Sequence, residues 1–126
     1  MKKTLFLFTV LILVSCKKES QESFGKPKTT TEVQKPEDLG KTLFEGKGNC
    51  VACHKPDVKL VGPSLQDIAK IYKSQNGSII DFLKNDAKPL VDPTQYEVMK
   101  TNFTITKAMS DDELKAIESY IYSQSK

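Results

Sequence analysis

Cys50-Val51-Ala52-Cys53-His54 gathers two of the chain's three cysteines and its one histidine into five residues. Three chemistries use such a cluster. A thioredoxin-like dithiol wants a strand before the pair and a helix after it, in a βαβ setting. A zinc site wants a fourth ligand, and a second histidine does not exist in the sequence. In the third, both thiols add across the vinyl groups of a haem, and the next residue, His54, ligates the iron through Nε2. Adjacency matters there, because two thioethers fix the porphyrin edge and leave the following side chain beside the metal. A single histidine also excludes a His-rich metal site and a multi-histidine relay.

The elements that must position these residues are short and helical. Leu39, Gly40, Leu43 and Phe44 share a helix face that Gly46-Lys47-Gly48 should stop. Leu65, Ile68, Ala69 and Tyr72 follow a helical repeat just after Gly62-Pro63, and Ile79, Ile80, Phe82 and Leu83 make a third segment after Asn76-Gly77. Leu114, Ile117, Tyr120 and Ile121 form the clearest stripe, opened by the capping box Ser110-Asp111-Asp112-Glu113. No alternating β-branched run competes, so the class is all-α. A core this small needs a staple or a prosthetic group at its centre.

The chain has 126 residues, with 19 Lys and Arg against 16 Asp and Glu, a surplus too mild for gripping nucleic acid. Its first residues, Met1-Lys2-Lys3, are basic and precede the apolar run Leu5 to Val14. Ten residues suit a signal-peptide core and fall short of the roughly 20 that span a bilayer. The run ends Leu13-Val14-Ser15-Cys16, which resembles the lipobox of bacterial lipoproteins. That resemblance implies cleavage after residue 15 and lipidation of Cys16, so that acyl chains anchor the exported protein to a bacterial membrane, facing the periplasm. The cysteine is thereby removed from the list of zinc ligands. Residues 16–36 are rich in Lys, Ser, Thr and Glu and poor in hydrophobes, and read as a solvated tether reaching about 25 Å. The expected organisation is signal peptide 1–15, lipidated linker 16–36 and folded domain 37–126.

The folded part resembles the class I c-type cytochromes, close to the small monohaem carriers of bacterial respiratory chains. Gly40-x-x-x-Phe44 matches the family's N-terminal helix, whose glycine lets the C-terminal helix cross closely, here at Ile117, Tyr120 and Ile121. Cys50, Cys53 and His54 match its haem attachment motif, and Val61-Gly62-Pro63-Ser64-Leu65 its G-P-x-L segment. The resemblance implies three to five short helices wrapped around one haem c bound through Cys50 and Cys53. It also implies that the Pro63 carbonyl accepts a hydrogen bond from the proximal histidine, and that a methionine sulfur is the sixth ligand.

Two methionines compete for that place. Met109 precedes the Ser110 cap and can staple onto Leu114. Met99 has no such packing role, sits in an expected loop before the last helix, and opens Met99-Lys100-Thr101-Asn102, similar to the family's M-x-x-N segment. Ile105 to Met109 looks inserted relative to that pattern. Met99 is therefore the expected ligand and Met109 the alternative. Asn102, Tyr96 and Tyr72 are candidates for bonds to the haem propionates or the sulfur, and Lys47, Lys55, Lys59 and Lys100 for steering an acidic partner. The implied activity is single-electron transfer without catalysis, by a monomer, between a quinol:cytochrome c reductase and a terminal oxidase or reductase. A haem-based gas or redox sensor, or a dedicated haem subunit of a larger oxidoreductase, is the alternative.

Overall fold

The computed structural model describes residues 34–125. The expected signal peptide, Cys16 and most of the linker lie outside the described residues. Among the described residues the architecture is all-α, with no strand and only an isolated bridge between His54 and Lys59. Six α-helices follow one another: α1 (Pro36–Glu45), α2 (Leu65–Ser74), α3 (Ile79–Leu83), α4 (Tyr96–Lys100), α5 (Phe103–Thr106) and α6 (Asp111–Ser123). Short 3-10 turns at Cys50–Ala52 and Pro93–Gln95 complete the order. α1 begins at Pro36, the last residue of the expected linker.

The crossing of α1 and α6 anchors the fold. A Cβ added to Gly40 would lie 1.9 Å from the Ala116 carbonyl oxygen and 2.8 Å from Tyr120 Cβ, so only glycine permits this approach. Phe44 meets Tyr120 edge-on at 5.4 Å between ring centroids. The α6 capping box is complete: Glu113 N–H donates to Ser110 Oγ and Ser110 N–H to the Glu113 carboxylate. Leu65, Leu114 and Ile117 are fully buried beneath the crossing, each contributing about 2 kcal/mol of apolar burial.

One feature departs from the sequence reading: among the described residues there are six α-helices rather than three to five, because the segment before α6 folds into α4 and α5, and Met99 is on α4, not in a loop. Phe103, Thr106 and Met109, spaced by three, turn inward there and are buried, and Thr106 Oγ1 donates to the Leu83 carbonyl at 2.6 Å. A buried threonine at the middle position hides that periodicity from a search for apolar residues. α1 stops at Glu45 with Gly46 (φ −100°) as its cap, as expected, and the left-handed residue that follows is Asn49 (φ 49°). Asparagine tolerates that region through its short polar side chain, and it turns the chain directly into Cys50.

Candidate functional site

One cleft, of about 230 Å³ and partly open to solvent, lies between two walls. Cys50, Cys53, His54, Gly62, Pro63 and Leu65, from the stretch that leads into α2, line it as one wall; Pro89 to Asp92, Tyr96, Val98, Met99 and Asn102, from the stretch after α3, line it as a second. Ile117 and Ile121 of α6 reach the same cleft, so it is continuous with the helix crossing.

The first wall is a tightly bonded turn. His54 N–H donates to the Cys50 carbonyl at 3.0 Å and Gly62 N–H to the Cys53 carbonyl at 2.9 Å. Leu65 and Gln66 N–H groups, at the start of α2, donate to the carbonyls of Lys55 and Pro56. Ser64 caps α2 by accepting from Asp67 N–H. His54 Nδ1 lies 2.8 Å from the Pro63 carbonyl oxygen. A carbonyl can only accept, so Nδ1 carries the proton and Nε2 keeps its lone pair. Burial lowers the histidine's pKa from its ordinary value, outweighing the Pro63 bond, which acts the other way. A Cβ on Gly62 would fall 2.4 Å from His54 Cε1, so this glycine makes room for the ring.

The thiols fit attachment better than redox or zinc chemistry. Both cysteines are free, and both line the cleft. Burial pushes the Cys50 thiol up to about 11, so it stays protonated at neutral pH, unlike the reactive thiolate of a dithiol oxidoreductase. Among the described residues no three His, Cys, Asp or Glu side chains converge as a set that could hold a bare metal ion. A large, mostly apolar cleft with two adjacent thiols and one preset imidazole nitrogen is a site whose donor set suits a porphyrin attached by thioethers.

The two methionines separate cleanly. Met99 is half-buried and lines the cleft. Met109 is 6% exposed, belongs to the hydrophobic core with Leu114, and does not line the cleft. Asn102 lines the cleft too, but its Nδ2 donates to the Gly48 carbonyl at 3.1 Å. Tyr96 OH donates to Asn85 Oδ1 at 2.7 Å. Tyr72 is buried, and desolvation pushes its phenol up to about 12. The lysines expected to steer a partner are mostly neutralised: Lys47 pairs with Glu113, Lys59 with Asp92 and Lys100 with Glu97. What the sequence reading missed is an apolar rim. Val58, Leu60, Val61 and Val98 are all exposed, and Val61 and Val98 line the cleft. The signal was available, since Val58 to Val61 supplies three hydrophobes that no helix uses.

A family model for cytochrome c matches residues 37–125. Cytochrome c-551 of Pseudomonas aeruginosa is 35% identical over 85 residues, covering 65% of this chain and 73% of that protein. Cytochrome c-551 of Pseudomonas denitrificans is 48% identical over 40 residues, 32% of this chain and 48% of that protein. Cytochrome c2 of Rubrivivax gelatinosus is 53% identical over 32 residues, 25% of this chain and 38% of that protein. The first match runs through most of the relative's length, whereas the other two span less than half.

Proposed function

The chain belongs to the cytochrome c family, a family of electron carriers rather than enzymes, and on that premise we propose that it is a membrane-tethered, single-haem shuttle with histidine and methionine as axial ligands. The observation that carries the reading is that Cys50, Cys53, His54 and Met99 line one cleft, with His54 held by the Pro63 carbonyl. Cys50 and Cys53 would hold the haem c, His54 Nε2 and Met99 sulfur would ligate its iron, and Pro63 would fix the imidazole's tautomer and orientation. Bound there, the haem supplies a one-electron couple, raised in potential by thioether ligation. The buried side chains of α1, α2 and α6 exclude water from the inner side of the cleft, and the apolar rim leaves its mouth open to close approach by a partner.

Partners of the stated kind are a quinol:cytochrome c reductase on the donor side and a terminal oxidase or reductase on the acceptor side. The Leu13-Val14-Ser15-Cys16 sequence supports export and a lipid anchor at Cys16, which would confine the carrier near membrane complexes and raise its effective concentration. Replacing Cys16 with Ser should move the protein from the membrane fraction to the soluble one.

The decisive experiment is the visible spectrum of the matured protein, reduced with dithionite, before and after carbon monoxide. A c-type spectrum unchanged by carbon monoxide is the expected result. A shifted spectrum would mean an open sixth position and transfer the reading to gas sensing. Absence of any haem spectrum in a host with working maturation would overturn both.

A further inference from the structure

The Met99 wall has little of its own to hold it in place. α4 is five residues long, without a side-chain cap and without a buried residue, and the 3-10 turn Pro93–Gln95 that leads into it is the same. A helix this short does not persist by itself in water. It must be positioned by what ties its ends to the rest of the fold.

Two ties bracket Met99 and run to the segment between α1 and α2 that carries Cys50, Cys53 and His54. After it, Asn102 Nδ2 donates to the Gly48 carbonyl. Before it, Asp92 Oδ2 accepts from Lys59 Nζ at 2.8 Å, across 33 residues of chain. Lys59 is no ordinary surface lysine, because its backbone is bridge-paired with His54 and Leu60 N–H donates to the Gly62 carbonyl beside it. The Asp92 carboxylate lines the cleft, is only 14% exposed, and also accepts from Thr94 Oγ1, which fixes the start of the turn leading to α4. Among the described residues this is the ion pair that joins the histidine wall to the methionine wall. The others tie α6 to the end of α1 and to α3, or link neighbours on one helix.

We propose that Lys59 and Asp92 form a clasp between the His54 segment and the Met99 segment, in which Lys59, anchored on His54, positions the Met99-bearing helix and limits its excursions from the site. Lys59 and Asp92 are positioning residues; neither is assigned to the iron. The pair need contribute little to global stability, as is usual for a partly exposed ion pair, because its effect falls on local opening of α4. The inference rests on Met99 being the sixth ligand.

The test is the rate at which imidazole binds the oxidised holoprotein, since entry requires the sixth ligand to leave. Lys59→Met and Asp92→Asn should each accelerate binding by about fivefold, the upper range for a pair of this exposure. The double variant should be no faster than either single one, because one broken clasp cannot be broken again. Lys59→Arg should stay within about twofold of wild type, since the charge-assisted bond is kept. Wild-type rates in both single variants, additive effects in the double, or a Lys59→Arg protein as fast as Lys59→Met would each overturn the clasp. Met99→Ala, in the same assay, separates the two readings. If it binds imidazole no faster than wild type, the ligand assignment fails and the clasp's role with it. If it binds at once while Lys59→Met does not change, only the clasp fails.

Discussion

The two walls of the cleft are built on different principles. The histidine wall is fixed by its own backbone: hydrogen bonds among Cys50, Cys53, His54 and Gly62, the Pro63 bond to the imidazole, and a capped α2 whose Leu65 and Ala69 are fully buried. The methionine wall is fixed from outside, by Tyr96 on Asn85, Asn102 on Gly48 and Lys59 on Asp92. Aromatic packing of Phe82 against Phe103 at 5.4 Å and of Tyr96 against both gives it a floor. One wall presents the His54 imidazole in a single orientation; the other holds Met99 by contacts that can be lost one at a time. On the proposed ligand assignment, a carrier must keep both side chains on the iron through each electron transfer, and the second wall is where that requirement is most easily broken.

The largest expected effect is a break in the rigid wall. Gly62→Ala places a methyl 2.4 Å from His54 Cε1 and 2.8 Å from both ring nitrogens, so the imidazole must leave its place or the Val61–Pro63 backbone must move. Either loses the Pro63 bond. The variant should give holoprotein near background yield, read by haem staining, and a normal yield would mean that this wall is more yielding than its bonds imply.

Next in size is the contrast between the two sulfurs. Met109→Ala removes a buried side chain packed in the core with Leu114 and should cost about 2–5 kcal/mol in denaturant unfolding, with the carbon monoxide response unchanged. Met99→Ala removes a half-buried side chain at the cleft and should cost less than about 2 kcal/mol, while opening the iron to carbon monoxide. The reverse pattern would reassign the ligand.

That contrast also marks how far the sequence could be read. Cys50 to His54, the Gly62-Pro63 turn and the Gly40 crossing were legible because each depends on a residue type that nothing else replaces: a thiol pair, a carbonyl without a competing N–H, a missing Cβ. The helices bearing Leu65, Leu83 and Leu114 were legible through apolar periodicity and Ser caps. α4 and α5 were not. Unlike the equally short α3, which has its Ser78 cap and buried Ile79 and Leu83, α4 has neither a side-chain cap nor a buried residue, and α5 has no cap and buries a threonine that pairs with Leu83. The Lys59–Asp92 pair was invisible for a different reason. Any of several lysines could have met any of several acids, and only the fold chooses.

The smallest effect tests whether charge, rather than shape, holds the second wall at its near end. The Lys59 ammonium, with help from Thr94, holds the Asp92 carboxyl down to about 2, against an ordinary value of 3.8. A depressed folded-state pKa means stability that is present above the unfolded value and lost as pH falls toward the folded one. The window here is therefore from about pH 4 down to about pH 2. Asp111 and Glu113 are also held below their ordinary values, by Lys84 and Lys47, and titrate in the wild type and in Asp92→Asn alike. Their contribution cancels in the difference between the two proteins. Thermal melts should thus show wild type above Asp92→Asn at pH 6, with the gap narrowing below pH 4 and closing near pH 2. A gap that persists at pH 2 would assign Asp92's role to its packing and its bond with Thr94, and the methionine wall would then be held by shape, as the histidine wall is.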